Sequence, residues 1–183
     1  MPSHKYKNRY RIESSRAPFW DYGWNAAYFV TICTKNRVCY FGSVIDYKTL
    51  LSDIGKFAEH CWLEIPKHFP FVKLGPHIIM PNHVHGIIII DKQVETQDFA
   101  SLPVTPLKSE PKNKFGPQSK NLASIIRGFI FGVTKNARTI NPTFRWQSRY
   151  HDHIIRDDKS FQNISDYILL NPLHWNKDKF YNR

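Results

Sequence analysis

Four runs of residues along the chain contain clustered apolar or β-branched residues, two of them nearly continuously, a pattern typical of β-strands. Pro81-Asn82 separates two of these runs and predicts a tight turn, so the two strands should form a hairpin. The predicted strands are Tyr28–Thr34, Val72–Met80, His83–Ile90 and Trp146–Arg156.

Elsewhere, apolar residues recur every three or four positions, which is the period of a helix with one buried face. Aspartates precede two of these segments as candidate helix caps, and prolines mark where they end. The three predicted helices run from a cap at Asp46 to about Leu63, from Leu122 past Val133, and from a cap at Asp157 or Asp158 to Pro172.

The predicted order is strand, helix, hairpin, helix, strand, helix. This order is close to a split β-α-β arrangement, an antiparallel sheet with helices mainly on one face. We therefore predict a single α+β domain over residues 1–183. An N-terminal arm (about 1–25), a proline-rich surface loop (about 91–120) and a basic tail (about 176–183) should lie outside its regular elements.

Composition indicates a class of partner. Hydrophobic residues make up 42% of the 183 residues, enough for a core, and 26 Lys and Arg against 15 Asp and Glu give a formal net charge of +11. This surplus favours a polyanion, nucleic acid before an anionic membrane. Cations and tyrosines alternate in the N-terminal arm, which suits contact with phosphates or bases, although a solvated tail fits equally well.

We expect the chain to carry no signal for export or membrane insertion. No apolar run is long enough to span a bilayer, and the basic N-terminus lacks the apolar segment of a secretory signal. The cysteines Cys33, Cys39 and Cys61 have no metal-type spacing and are expected to be reduced thiols. We expect a cytoplasmic, nucleoid-associated bacterial protein.

His83 and His85 stand at the head of an apolar predicted strand. Because successive strand side chains point to opposite faces, both imidazoles should share one face with Ile87, while Val84 and Ile88 line the other. Two imidazoles on one face can share a divalent metal or a phosphate. From spacing alone, histidines that merely end a strand are the alternative.

A polar stripe follows the last predicted helix. Tyr167 and Asn171 are four residues apart, so they lie one turn apart beside the apolar stripe of Ile164 and Ile168. If this side faces the histidines, two imidazoles, an amide oxygen and a phenol meet. From spacing alone, the alternative is a surface tyrosine and an Asn171 that caps the helix before its proline.

Such a set has a chemical logic. A phenol with a pKa of about 10 is a weak nucleophile at neutral pH, whereas a divalent metal polarises a phosphodiester and stabilises a departing 3′ oxygen. Attack by Tyr167 would produce a covalent phosphotyrosine and a free 3′-OH. The energy of the broken bond is then kept for rejoining the strand.

Other residues compete for these roles. His151 and His153 form a second His-x-His pair on another predicted strand, as rival ligands or as support for the first pair. Tyr150 is a rival nucleophile, although it should point away from the face of His151. His77 is a lone strand histidine, a position that is more often structural.

Three motifs resemble a known family. Pro81-Asn82-His83-Val84-His85 resembles the His-hydrophobic-His signature of the single-strand DNA transposases that use one tyrosine. Two further motifs resemble the branch called REP-associated tyrosine transposases. They are Trp146-Gln147 with His151-Asp152-His153-Ile154-Ile155-Arg156, and Tyr167-Ile168-Leu169-Leu170-Asn171-Pro172. The motifs occur in order between about Tyr28 and Trp175, which makes the combination specific.

The resemblance implies a ferredoxin-like sheet, His83 and His85 as ligands of Mg²⁺ or Mn²⁺, and Tyr167 on the last helix as the catalytic nucleophile. Asn171 matches the position of a third ligand, which is glutamine in insertion-sequence relatives. The implied substrate is single-stranded DNA with an imperfect hairpin, cut and rejoined through a 5′-phosphotyrosine by a monomer or a homodimer. A supporting role remains for His151, His153 and Gln147.

The leading hypothesis is a metal-dependent transposase and endonuclease that acts next to hairpin, REP-like sequences. The alternatives are a replication or nicking enzyme of the same chemistry, a non-catalytic, domesticated DNA-binding protein, and a metallohydrolase with water as its nucleophile. The predicted DNA contacts are cations near the motifs or on the second helix: Lys35, Arg37, Arg127, Lys135, Arg138, Arg145, Arg149 and Arg156.

Overall fold

The computed structural model describes residues 20–92 and 119–181. The predicted N-terminal arm up to residue 19, and most of the predicted proline-rich loop, lie outside these residues. The described strands are β1 Ala26–Cys33, β2 Gly42–Ile45, β3 Lys48–Leu51, β4 Val72–Met80, β5 His83–Ile90 and β6 His151–Ile155. The α-helices are α1 Asp53–Leu63, α2 Ile65–His68, α3 Leu122–Ile140 and α4 Asp158–Leu170, and short 3₁₀ helices span Lys35–Arg37 and Asn171–Lys177.

Four strands form one antiparallel sheet in the order β4-β5-β1-β6. β5 lies between β1 and β4, so the predicted α+β class and split β-α-β sheet are confirmed. Thr31 of β1 pairs with His85 on one side and with His151 on the other, and Cys33 pairs with His83. Paired residues project to the same face, so these three histidines share a face, called here the histidine face.

The opposite face of the sheet is covered by α1 and α3. Val84 and Ile88 of β5 are fully buried there, beneath Trp62 of α1 and Phe129 of α3, whose rings meet edge to face at 5.3 Å. Gly86 allows this close approach, because a Cβ at that position would lie 2.3 Å from the Trp62 ring. The strand that carries the two histidines is therefore held by the main core.

Helix α4 packs on the histidine face. Ile168 of α4 and Ile87 of β5 are both fully buried, in a cluster with Ile155. The helix begins as predicted, with the Asp157 side chain accepting a hydrogen bond from the Ser160 N–H at 2.7 Å. α4 therefore presents its polar stripe on the histidine face.

The segment after Asp46 differs from the prediction of a helix. β2 and β3 form a hairpin, and its turn residues Asp46 and Tyr47 have φ values of 48° and 61°. Consecutive left-handed residues suit a two-residue hairpin turn and exclude a right-handed helix. The helix begins only at Asp53, where the Ser52 side chain accepts a hydrogen bond from the Gly55 N–H at 3.1 Å.

The last predicted strand is also shorter than expected. Trp146 pairs with Thr34 only in an isolated bridge, and regular pairing starts at His151. Arg149 lies between them with a φ of 71°, and a left-handed residue interrupts an extended strand.

Within residues 20–92 and 119–181, no helix has both the length and the apolar composition of a membrane span.

Candidate active site

Asn82 fixes the orientation of His83. Its amide nitrogen donates to the backbone carbonyls of Arg37 and Phe180, at 3.1 and 2.8 Å. The Asn82 Oδ1 atom therefore faces His83 Nδ1, at 2.8 Å, and accepts its hydrogen. This leaves a lone pair on His83 Nε2, a buried atom without a hydrogen-bond partner. The nitrogen is thus in the state that a metal ligand requires.

His85 is held by β1 in a similar way. Its Nδ1 lies 2.9 Å from Thr31 Oγ1, and the backbone carbonyl of Val30 also favours a proton on this ring. With the hydrogen on Nδ1, the Nε2 atom again carries the lone pair. The rings of His83 and His85 meet edge to face, with their centroids 4.4 Å apart.

Both imidazoles are kept neutral by burial. Burial lowers the pKa of His83 to about 3, and the charges of Lys179 and Arg37 add to this effect. Burial also lowers the pKa of His85 well below its usual value, with His83 adding to the shift. A neutral imidazole is the form that binds a metal.

Tyr167 reaches the histidine pair from α4. Its hydroxyl oxygen lies 3.3 Å from His85 Nε2, and its ring meets those of His85 and Phe29 edge to face. The side chain is 42% exposed. Burial of the remainder and the nearby charge of Asp178 raise the pKa of the phenol, whereas the Asn171 amide opposes the rise. Tyr167 is therefore a neutral phenol that faces solvent on one side and His85 on the other.

Asp178 completes a cluster that can hold a metal. One ligand atom from each of His83, His85 and Asp178 lies within 4.8 Å of the others. The carboxylate is held by Asn171 Nδ2, which donates to Oδ2 at 3.1 Å, and by the Phe180 N–H, which donates to Oδ1 at 2.6 Å. Two neutral imidazoles and a carboxylate are a donor set that suits a divalent cation.

Two unpartnered polar atoms belong to this cluster or to a residue hydrogen-bonded to it. Three buried side-chain nitrogen or oxygen atoms in the described part of the chain lack a hydrogen-bond partner, and two of them are His83 Nε2 and Asn171 Oδ1. A buried polar atom without a partner destabilises the fold by about 1–3 kcal/mol. A cation that accepts these two lone pairs would remove that cost, so the residues present fit a metal.

The segment Trp175–Phe180 covers the histidines. The centroids of the Phe180 and Trp175 rings lie 4.6 and 6.0 Å from that of His83. As a result, His83 and His85 are only 0% and 1% exposed. Part of the predicted basic tail is therefore a wall of the site. In the sequence, this wall is indicated by Asp178 between two lysines, followed by the aromatic residues Phe180 and Tyr181.

The other predicted site residues lie outside the cluster. His151 and His153 are exposed on the histidine face, but β1 separates them from His85. The side chain of Gln147 is exposed, while its backbone N–H donates to the Cys33 carbonyl at 2.8 Å. Tyr150 packs against the main core, on the opposite face from Tyr167.

The predicted DNA-binding cations divide into groups. Lys35, Arg37 and Arg145 line one cavity beside the histidine site. A second group, Arg127, Lys135 and Arg138, lies on α3 and therefore on the opposite side of the sheet. Arg149 lies in the bend before β6, and Arg156 directly follows that strand.

Comparison with known proteins identifies relatives in sequence and in structure. No protein-family model matches the chain. An uncharacterised protein of Haemophilus influenzae is 40% identical over 169 residues, which are 92% of each chain. A second protein of Haemophilus influenzae, named a putative REP-associated tyrosine transposase, is 26% identical over 84% of this chain and 73% of its own length.

A solved structure shares the fold. It is a REP-associated tyrosine transposase bound to a REP hairpin, and the match has a TM-score of 0.56 with 18% identity over 88% of this chain and 73% of that one. The named relative matches over 84% of this chain. In this chain, the motif residues His83, His85 and Tyr167 lie together at one site. The chain is thus similar in sequence to a putative REP-associated tyrosine transposase and shares the fold of a solved one.

Proposed function

We propose that the protein cleaves and rejoins single-stranded DNA next to hairpin sequences, with Tyr167 as the nucleophile. The observation that carries this proposal is the 3.3 Å distance between the Tyr167 hydroxyl and His85 Nε2. It joins residues from two separate motifs within one chain. The REP hairpin bound to the solved relative and the net charge of +11 support DNA with a hairpin as the substrate.

The proposed metal is Mg²⁺ or Mn²⁺, held by His83, His85 and the Asp178 carboxylate, with Asn171 Oδ1 as a further oxygen ligand. The ligands predicted from the sequence were His83, His85 and Asn171, and Asp178 is added to them here. When bound, the cation would supply Lewis-acid polarisation of the phosphodiester and stabilise charge on the leaving oxygen.

The proposed step is a transesterification at phosphorus. The Tyr167 oxygen forms a bond to phosphorus while the bond from phosphorus to the 3′ oxygen breaks. Tyr167 gives up one proton and the leaving 3′ oxygen takes up one, so the products are a 5′-phosphotyrosine and a 3′-OH. Because burial raises the pKa of Tyr167, we expect its proton to leave during the attack and not before it. Attack by another 3′-OH reverses the step and joins the strands.

Trapping the covalent intermediate tests the proposal. The full chain is incubated with Mn²⁺ and a pool of 3′-labelled hairpin oligonucleotides with randomised single-stranded flanks, and adducts are resolved by denaturing gel electrophoresis. The wild type should form a labelled adduct that requires the metal. Tyr167→Phe should form none, whereas the control Tyr150→Phe should retain it.

Three results would contradict the proposal. An adduct of wild-type yield in Tyr167→Phe would assign the nucleophile to another residue. DNA binding by the wild type without any adduct, under all metal conditions, would favour the non-catalytic DNA-binding alternative. Cleavage without an adduct would favour water as the nucleophile.

A further inference from the structure

An apolar groove of about 500 Å³, called here the helix groove, lies between α3 on one side and α1 with α2 on the other. Its lining includes Cys61 and Ile65 on one wall and Phe129 and Phe131 on the opposite wall. Helices α1 and α3 cover the sheet face opposite the histidine face. The helix groove is therefore separated from Tyr167 by the whole thickness of the sheet.

Two glycines of α3 line the helix groove. Gly128 and Gly132 are four residues apart and therefore lie on one stripe of the helix. A Cβ atom at Gly128 would lie 3.4 Å from the Phe69 ring, and one at Gly132 would lie 3.3 Å from Cys61 Sγ. Larger side chains at these two positions would occupy the groove, so their absence keeps it open.

Phe131 lies beside the helix groove with most of its ring in solvent. Its side chain is 70% exposed, and Phe57 of α1, one turn before Cys61, is also exposed. Neither aromatic ring is needed to complete the core, which is closed beneath them by Phe129 and Trp62. An exposed aromatic side chain next to an apolar groove is typical of a surface that binds another protein.

A row of cations borders the helix groove. Arg127, Lys135 and Arg138 lie on the same stripe of α3 as Phe131, because the four residues follow one another at helical spacing. All of them are exposed, and neither Arg127 nor Lys135 forms an ion pair with another residue of the described ranges. These two cations are about 12 Å apart along the helix, at 1.5 Å per residue, with Phe131 between them.

The shape and the charge of the helix groove fit an acidic amphipathic helix. A helix that lies in a groove inserts apolar residues at positions i, i+3, i+4 and i+7, which here would meet Ile65, Phe129 and Phe131. Carboxylates two turns apart on the flank of that helix would match the separation of Arg127 and Lys135. Such pairs would give the apolar contact a fixed orientation.

Nucleic acid fits the helix groove less well. Phosphates in the groove would lie beside the carboxylate of Glu64, which is part of the lining. Lys67 does not offset this effect for a ligand, because it is already paired with Glu64 at 2.7 Å. The unpaired positive charge therefore lies on the α3 side, an arrangement that suits a helix with one acidic flank.

We propose that the helix groove binds an acidic amphipathic helix of a partner protein. Apolar residues of that helix fill the space next to Gly128 and Gly132 and contact Phe131, while its carboxylates pair with Arg127 and Lys135. The histidine face stays open in such a complex. A partner can therefore be held on one side of the sheet independently of the chemistry of Tyr167 on the other.

A synthetic helix tests this site. The probe is a fluorescein-labelled peptide of about 18 residues, with leucine at positions i, i+3, i+4 and i+7 of each repeat and glutamate at the others. One control peptide has the same composition in shuffled order, and a second has lysine in place of glutamate. Titration with the full chain, followed by fluorescence anisotropy, should show at least about tenfold tighter binding of the acidic helix than of either control.

Three variants assign the binding to the helix groove. Gly128→Leu fills the groove and should weaken binding at least about tenfold, while its higher helix propensity at an exposed position preserves the fold. Phe131→Ala should weaken binding about tenfold by removing the aromatic contact. Arg127→Ala/Lys135→Ala should weaken binding about threefold to tenfold, and its affinity should depend less on salt than that of the wild type.

The matched control Lys48→Ala/Lys73→Ala removes the same charge from β3 and β4 and should bind the acidic helix like the wild type. Circular dichroism checks the fold of every variant. Equal binding of the acidic and shuffled peptides would overturn the proposal, as would unchanged binding in a folded Gly128→Leu variant. Loss of hairpin DNA binding in Arg127→Ala/Lys135→Ala, with peptide binding unchanged, would assign the cations to DNA instead. A wild-type dimer that Gly128→Leu abolishes would assign the groove to a second copy of the chain.

Discussion

The hydroxyl oxygen of Tyr167 lies 3.3 Å from His85 Nε2, the atom through which this histidine would bind a metal. Without a metal, the hydroxyl can donate to the lone pair on that nitrogen. A metal at Nε2 has to replace this hydrogen bond. The nucleophile and the metal ligand are therefore coupled, and metal binding would release the hydroxyl from His85.

This coupling predicts an effect of Tyr167→Phe on metal affinity. The variant should bind Mn²⁺ at least as tightly as the wild type, and up to about tenfold more tightly, because a hydrogen bond of about 0.5–1.5 kcal/mol no longer competes. Isothermal titration calorimetry without DNA measures both constants. Clearly weaker binding by Tyr167→Phe would mean that the hydroxyl is itself a ligand.

A second prediction concerns Asn82, which fixes the Nδ1 hydrogen of His83. Asn82→Ala should lower the affinity for Mn²⁺ by about 10–100-fold, the usual effect of removing a group that orients a ligand. Asn25 is a matched control, because its amide also forms two hydrogen bonds to backbone, both to Lys92 and far from the site. Equal affinities of Asn82→Ala and Asn25→Ala would refute the orienting role.

The role of Asp178 can be separated from its structural contacts. Asp178→Asn keeps the shape of the side chain but removes its charge, so Mn²⁺ affinity should fall at least about tenfold while the metal-free fold persists. Calorimetry and urea unfolding measure the two effects. Asp166→Asn, on the exposed side of α4, is the control for a lost carboxylate. Unchanged metal affinity in Asp178→Asn would limit this residue to holding Asn171 and Phe180.

The buried histidines predict how stability depends on pH. The pKa of His83 falls from about 6.5 in the unfolded chain to about 3 in the fold, so the unfolded state binds more protons between these values. The free energy of unfolding of the metal-free protein should therefore decrease as the pH falls below about 6.5. At pH 5.5 the loss from His83 is on the order of 1 kcal/mol, and His85 acts in the same direction.

Urea denaturation in EDTA at pH 7.5 and 5.5 measures this dependence. His83→Gln should lose less stability between the two pH values than the wild type, whatever its absolute stability. An identical loss in both proteins would show that protonation of His83 does not contribute.

Local patterns were sufficient to predict where the two histidines and the tyrosine lie on their own elements. Strand alternation placed His83 and His85 on one face, and helical spacing placed Tyr167 beside the buried stripe of α4. Both rules depend only on neighbours in the sequence. Docking of α4 onto the histidine face was not a local property, because it depends on contacts such as that between Ile87 and Ile168.

Two features were beyond such rules. Asp178 reaches the site because the chain after α4 turns back over the histidines, where Phe180 and Trp175 are buried. Neither helical nor strand periodicity indicates that return. The β2–β3 hairpin was missed because Leu50 also fits the apolar spacing of the helix that follows. The left-handed turn at Asp46 and Tyr47 decides between the two structures.

Tyr167 is proposed to act with the histidines of its own chain, and mixing two inactive variants tests this most directly. Tyr167→Phe lacks the nucleophile, and His83→Ala/His85→Ala lacks the ligand pair. Each is first shown to bind the hairpin DNA, and then both are combined in equal amounts with Mn²⁺ in the adduct assay. No adduct is expected from the mixture, because no single chain carries both halves of a site. Recovery of the adduct in the mixture would contradict it, by showing that Tyr167 of one chain serves the histidines of another.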